Sequence, residues 1–489
     1  ETTNSYKIMI SFLLSMALLV AGYMVYGSLA AKVFKVNPKR KTPALLNADG
    51  VDYISMPWWK LFLIQFLNIA GVGPIFGAVM GVMYGPSAFL WIVFGTIFGG
   101  AVHDFFAGML SIRQHGSSLT EIVGAQLGNG VKIVFTIFII FLHILVGAVF
   151  IQSPSNLLHD IISVVPMWAW VALIFVYYLL ATLLPIDKII GRFYPIFGAM
   201  LLFMALGTLI MMLYHSIVSP DVRMPEVWDG LKSMHPKNLP VFPMMFISIA
   251  CGAISGFHAA QSPLVARCME NEKYAVRIFY GAMILEGMVA LIWAFAAATF
   301  FPNGIEGLLA YAGTGKDASA IVSTISVSWL GKVGGFIAVL GVIAAAVTSG
   351  DTIMRSARII IADFAHIPQK KIKNRIFVAL PIFAASAFIL FCIDFDVLWR
   401  YFAWCNQTLS IFTLWTCTVY LCKAKKNYIM TIIPAMFMTA VCTTYILYAP
   451  EGFGVNYNIS VVIGVLFAFF GLCLFAQWAR FYKKHHNLI

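Results

Sequence analysis

The chain is predicted to be an all-α polytopic membrane protein with about 13 transmembrane helices. Three observations carry this. Of 489 residues, 61% are apolar and only 11% charged. The apolar residues recur in runs of roughly 20, the length that spans ~30 Å of hydrocarbon at 1.5 Å per residue. The polar connections between runs are short, with no low-complexity segment or domain linker, so residues 1–489 read as a single membrane domain.

In order, the runs are 8–30, 60–83, 87–112, 131–152, 165–184, 193–217, 243–262, 277–301, 333–362, 376–393, 402–422, 428–448 and 458–482. The first ends in "GSLAAK", like a cleavable leader, but its apolar part exceeds the typical 7–15 residues and is kept as a helix. An odd number of crossings puts the termini on opposite sides. With the amino end outside, the inner connections and the carboxyl tail carry 23 Lys and Arg, and the outer side carries 7, among them Lys7 and Arg223. That bias sets the amino end outside and the carboxyl end cytoplasmic. It also accounts for the net charge of +12 without nucleic acid. The 8 cysteines form no CxxC pair and read as small core residues, with neither zinc nor a disulfide framework expected.

Two of the runs are interrupted. "GVGPIFGA" from Gly71 and "GAISGFHA" from Gly252 put helix breakers at membrane depth, five runs apart. An unpaired backbone group costs several kcal/mol in lipid, so such breaks belong against protein or a polar cavity. The odd offset inverts the second unit, the pattern of a secondary transporter whose site lies between two broken helices. Breaks are expected at Gly71–Gly77 and Gly252–Gly256, facing each other near mid-membrane. The competing reading is that these glycines serve tight helix packing.

Ionisable groups inside the runs are few and mark candidate sites. His103 and Asp104 lie within the third run and could carry a coupling proton, or could fix packing by bonding neighbouring helices or Arg113. His258 sits in the second break, with Ser255, Gly256, Gln261 and Ser262 beside it, and is assigned to binding or proton handling. His143 and Glu286, isolated on their runs, read as satisfied core groups. Asp351 and Arg355 stand at i and i+4, where mutual neutralisation is the simpler reading; Asp351 is the alternative proton carrier. Asn406 and Gln407 could gate or hydrogen-bond. The half-helix restarting near Gly73 offers free N–H groups and a positive dipole end, suited to a carboxylate without a fixed cation. Substrate binding is therefore placed at Gly71, Gly73, Pro74 and Gly77 of the first break and at Ser255, Gly256, His258 and Gln261 of the second. On this basis Gly73→Val should block uptake and leave the protein folded.

Five stretches together are specific. "NPKRKTPA…DGVDYIS", "GVGPIFGA", "HDFFAGMLSIRQHGSSLTEIVG" from His103, "TSGDTIMRSARIIIADF" from Thr348 and "WRYFAWCNQTLS" from Trp399 occur in order over nearly the whole chain. They resemble the carbon-starvation protein A (CstA) family of bacterial inner-membrane transporters, which take up peptides and pyruvate during nutrient stress. The resemblance implies a leucine-transporter-type (LeuT) core of five-plus-five inverted repeats, residues 60–217 and 243–422. Residues 1–59 precede it as the first helix and basic loop, and residues 423–489 follow as two additional helices. It also implies that Thr348 and Ser349 could hold Na+ with carbonyls around Ala70, Gly71 and Gly73. No other cofactor is implied; H+ or Na+ is the coupling ion, with the proton favoured because three titratable side chains crowd the breaks. The substrate class is a small carboxylate, pyruvate or a short peptide, and the chemistry does not separate the two. A channel lacks its continuous polar lining, and an integral-membrane enzyme lacks HExxH or GxSxG. The sequence is silent on oligomeric state.

Overall fold

A computed structural model describes residues 9–50, 52–183, 186–219, 224–393 and 395–486; Lys7 and Arg223 of the charge count lie outside them. Every named element among these residues is a helix. In chain order the principal ones are α1 (Ile10–Phe34), α2 (Trp58–Ala70), α3 (Gly73–Val82), α4 (Ser87–Arg113), α5 (Leu119–Leu127), α6 (Asn129–Ile161), α7 (Met167–Leu183) and α8 (Ile186–Val218). After the short helical segments Val227–Asp229, Val241–Met245 and Phe246–Ser248 come α9 (His258–Ala266), α10 (Glu272–Phe300), α11 (Ala318–Phe364), α12 (Ile372–Cys392), α13 (Phe395–Lys423), α14 (Ile429–Tyr448) and α15 (Tyr457–His486). Nine helices are long and apolar enough to cross a bilayer, or 10 if α2 and α3 are one bent span, among the described residues. The chain is thus a multi-pass membrane protein.

The burial pattern shows which helices meet lipid. In α4 and α10, 83% of the most apolar 18-residue window is buried, against 33% in α1 and 22% in α15. The broken helices α3 and α9 pack on these inner helices, α3 on α10 and α9 on the second half of α4. α11 runs against α6 and α8, while α14 packs on α13 and α15 on α14. The 47-residue α11 has a backbone break at Gly331 (φ 70°, ψ 178°), where the predicted ninth span begins. Glycine carries that left-handed φ without a Cβ clash, so an uninterrupted apolar pattern contains two helix directions.

The charges near the helix ends pair differently from expectation. Arg113 donates to Glu272 at 2.8 Å and to the carbonyl of Lys35 at 3.0 Å, and so is not the partner of Asp104. Asp351 and Arg355 each bond a group on another helix. Asp351 accepts from Tyr177 (3.0 Å) and Thr352 (3.2 Å), and Arg355 donates to the carbonyl of Ala181. Both side chains reach a neighbouring helix, α7, which outcompetes a weak contact along their own helix. Six cysteines are buried, and Cys392 and Cys473 are exposed.

Lys426, in the loop between α13 and α14, donates to the carbonyl of Phe34 and lies 4.4 Å over its ring. Burial first, then the cations of Arg113, Lys35 and Arg40, push its ammonium down to about 8 from 10.5. A base with a lowered folded-state pKa binds fewer protons folded than unfolded between these values. The penalty is fully present below about pH 8 and fades as pH rises towards 10.5. At about pH 8, an amine-acylating reagent should therefore modify Lys426 ahead of the exposed Lys425, read by peptide mass spectrometry. Equal or slower modification of Lys426 would contradict this environment.

Candidate functional site at the two broken helices

The first break is short. α2 ends at Ala70, Gly71 adopts φ 40° and ψ −148°, and α3 restarts at Gly73, bent by 45°. Pro74 stands in the first turn of α3, where its missing N–H removes no intrahelical bond. The carbonyls freed at the end of α2 find a partner on α11, as Ser349 Oγ donates to Leu67 O (3.1 Å) and Asn68 O (3.0 Å). Thr352 adds a bond to the Asn68 side chain at 2.8 Å.

The second break is long, from Ile249 to Phe257. Its backbone groups are satisfied by side chains from three other helices, as lipid-excluded irregular backbone requires. Thr96 donates to Gly252 O (2.9 Å), Glu286 accepts from Gly252 N (3.1 Å), and Asn406 Oδ1 accepts from Phe257 N (2.8 Å). Ser255 is held by Asn406 as well, at 3.1 Å and 2.8 Å. The carbonyl of Asn406 accepts from Gly256 N at 3.1 Å.

The two breaks face each other, and the glycines divide between the two expected roles. Gly71 makes the turn. Gly73, Gly77 and Gly81, at i, i+4 and i+8 on α3, pack against the second break instead. A Cβ on Gly73 would stand 2.4 Å from Cys251 Cβ, on Gly77 2.9 Å from Ser248 O, and on Gly81 2.2 Å from Ile249 Cγ1. This corrects the expectation that the break extends to Gly77, since α3 already runs from Gly73, and it bears on the expectation that Gly73→Val leaves the protein folded. Gly73→Val would drive a branched side chain into Cys251, so the variant would lose packing as well as any ligand contact.

Where the half-helix α9 begins, the ionisable residues form one buried chain. Asp104 Oδ1 is 2.8 Å from His103 Nδ1, and Oδ2 is 2.9 Å from His258 Nδ1. His258 Nε2 then lies 3.6 Å from Glu286 Oε2. All four side chains are 0% exposed. An ionised carboxylate only accepts, so a charged Asp104 places the proton of each histidine on Nδ1. His103 Nε2, His258 Nε2 and Glu286 Oε2 have no hydrogen-bond partner, and neither does either polar atom of the buried Gln261. Polar atoms stranded in this way inside a protein mark a place built for something else.

His103, Asp104, His258, Gln261 and Ser255 therefore gather at the second break. Ser349 reaches the first, bonding the carbonyls of Leu67 and Asn68 and standing beside Gly71, while Thr348 Oγ1 donates to Ala345 O on its own helix (3.0 Å). Asp351 lies on the far side of α11, towards Tyr177. His143 bonds Ile139 O of its own helix (2.6 Å). Sequence reasoning passed over Cys251 and read Glu286 as a satisfied core group, whereas Glu286 holds Gly252 N and faces His258. A lone carboxylate in the apolar run 277–301 was the available signal, since such a group seldom sits at membrane depth without a task. Beyond Gly71, an aromatic column closes one approach: Phe76 to Trp399 (6.0 Å), Trp399 to Phe402 (5.4 Å) and Phe402 to Phe150 (5.9 Å). Past it opens a cavity of about 360 Å³ lined by Phe76, Trp399, Lys316 and Arg400.

The chain matches the sequence profile described as carbon starvation protein CstA over residues 7–169 and 159–331. It is 43% identical to an uncharacterized membrane protein of Haemophilus influenzae, with 60% of this chain and 92% of that one covered. It is 31% identical to the peptide transporter CstA of Campylobacter jejuni (63% and 52% covered) and 28% to the pyruvate/proton symporter BtsT of Escherichia coli (59% and 49%). The chain thus spans about half the length of these last two relatives. Among solved structures, a Na+-coupled sialic acid symporter in an outward-open state superposes with a TM-score of 0.56 at 13% identity, covering 94% of this chain and 96% of that one. That likeness speaks for the fold alone. The matched profile covers well over half of the sequence, so the chain belongs to the carbon starvation protein CstA family.

Proposed function

We propose that this protein is a secondary transporter that brings small carboxylate nutrients, pyruvate or short peptides, across the bacterial inner membrane in symport with a proton. The single observation that carries the reading is the buried His103–Asp104–His258 chain at the restart of a broken helix. A carboxylate clamped by two imidazoles can give and take a proton without exposing a charge to lipid. The unpartnered amide of Gln261, on the same half-helix, provides neutral donors and an acceptor for a substrate. Moving a monocarboxylate together with a proton keeps the complex neutral, which lowers its cost in a low-dielectric barrier. The names of the C. jejuni and E. coli relatives agree with both substrate classes.

Alternating access fits the architecture. The aromatic column seals the path from the Lys316 and Arg400 cavity, and opening it would expose the breaks to that side. We assign 13 crossings, the amino end outside and the carboxyl end cytoplasmic, with inverted repeats at 60–217 and 243–422 around the facing breaks. Sodium is the second reading, favoured by Ser349 against the carbonyls of Leu67 and Asn68 and beside Gly71.

Uptake into proteoliposomes decides between them. Labelled pyruvate and labelled di- and tripeptides are offered in sodium-free buffer under an inward proton gradient. Saturable accumulation that collapses with a protonophore is expected. No accumulation there, with recovery under a sodium gradient alone, would overturn proton coupling. Single-channel currents would overturn the transporter reading altogether.

A further inference from the structure

We infer that Cys251, His258 and Glu286 form a binding site for a thiophilic divalent transition-metal ion of the zinc type. Cys251 Sγ, a ring nitrogen of His258 and a carboxylate oxygen of Glu286 all lie within 4.8 Å of one another, and all three residues are buried. The inference goes beyond the transport reading and shares with it His258 and its Asp104 partner, while Cys251 and Glu286 are its own.

Four features distinguish this cluster from a chance gathering. Two of its three ligand atoms, His258 Nε2 and Glu286 Oε2, are buried, have no hydrogen-bond partner outside the cluster and stand 3.6 Å apart. That separation is close to the ~3.3–3.7 Å between ligand atoms in a tetrahedral site with bonds of ~2.0–2.3 Å. Secondly, Asp104 accepts from His258 Nδ1 at 2.9 Å, which leaves the Nε2 lone pair aimed at the cluster. A carboxylate behind a histidine is the usual outer partner of a metal-bound imidazole, fixing its tautomer and raising its basicity. Thirdly, Asn406 Nδ2 donates towards Cys251 Sγ at 3.7 Å and the thiol donates to Ser255 Oγ at 3.4 Å, so a thiolate there has an amide donor at hand and a hydroxyl that can turn towards it. Fourthly, the charges cancel: a divalent cation with one thiolate and one carboxylate is neutral, the form a buried site tolerates best.

The ligand types choose the metal. One sulfur, one imidazole and one carboxylate suit Zn2+ or Co2+, whereas Mg2+ and Ca2+ prefer all-oxygen shells. Three protein ligands leave a fourth position open. The sulfur must approach by up to about 1.5 Å to complete the shell. Cys251 can do so because it belongs to the irregular segment 249–257 and not to a helix. A bound ion would tie that segment to α9 and α10 and hold the second break in one conformation.

The test uses the full chain, purified without a histidine tag, stripped with a chelator and carrying His485→Ala and His486→Ala to remove the tail histidines. Titration with Co2+ should give a thiolate-to-cobalt charge-transfer band and intense tetrahedral d–d absorption that saturate at one ion per chain. Cys251→Ser should abolish the charge-transfer band, and Asp104→Asn should weaken binding roughly 10–100-fold through the loss of the outer partner. Cys417→Ser, on a buried cysteine away from the breaks, should change neither. X-ray absorption of the Zn2+-loaded protein with Cys251 intact provides a reading that does not depend on any cysteine variant folding. It should show a single sulfur at ~2.3 Å among nitrogen and oxygen ligands. A sulfur-free shell, or a charge-transfer band that survives Cys251→Ser, would overturn the inference.

Discussion

Asp104→Asn is expected to reduce proton-driven accumulation of substrate to background while leaving exchange of labelled for unlabelled substrate largely intact. In the native chain each oxygen of Asp104 serves one imidazole, His103 at 2.8 Å and His258 at 2.9 Å, with nothing exposed to water. Asparagine keeps one accepting oxygen and turns an NH2 group towards the other ring. That ring must switch tautomer or lose its bond. A hydrogen bond to a charged group contributes about 1.5–3 kcal/mol, and breaking a buried pair costs about 3–5 kcal/mol, so the variant should also melt at a lower temperature. Accumulation requires a proton to travel with the substrate, whereas exchange requires only binding and reorientation. Comparing the two assays therefore separates loss of coupling from loss of the protein. His103→Gln, which leaves the Asp104–His258 contact in place, is a milder probe and should reduce accumulation without abolishing it. Full proton-driven accumulation by Asp104→Asn would remove the carboxylate from the coupling mechanism.

Much of this architecture can be read from residue type and run length because lipid imposes simple rules. Apolar runs of the right length mark helices, and Gly-Pro within such a run marks α2 ending at Ala70 and α3 restarting at Gly73. His103, Asp104 and His258 stand out because ionisable groups in those runs are so few. Information about neighbours is what a linear reading lacks. Nothing in the spacing says that Glu286 passes beside Gly252 and His258, or that Arg113 finds Glu272 before Asp104. Which carbonyls of α2 Ser349 bonds, those of Leu67 and Asn68, depends on how α11 packs against α2. The glycines show the limit most clearly. Gly71 and Gly73 are separated by a single residue, yet one makes a turn and the other admits Cys251. Only the three-dimensional contact separates those uses.

That division of labour among the glycines yields the last prediction, in which the identity of the clashing atom decides the outcome. Gly256→Ala should eliminate folded protein, whereas Gly81→Ala should be tolerated with moderate destabilisation. A methyl on Gly256 would stand 2.3 Å from both Asn406 O and Ser410 N, backbone atoms of α13. Neither can rotate away, so α13 must shift. The shift would break the Gly256 N to Asn406 O bond and pull Asn406 from Ser255 and Phe257, taking the support of the second break with it. At Gly81 the new methyl meets Ile249 Cγ1 at 2.2 Å and Cδ1 at 2.5 Å. Those atoms belong to a side chain that can change rotamer, which places the cost in the usual overpacking range of about 1–3 kcal/mol. Gly81→Ala with Ile249→Ala should then be less destabilised than the two single changes added together, with a coupling of about 0.5–3 kcal/mol in the double-mutant cycle. Thermal melting and size-exclusion profiles in one detergent measure all four variants. A Gly256→Ala protein that stays monodisperse and melts with its parent would show that α13 does not press on the second break, and additive effects at Gly81 and Ile249 would show the same for α3.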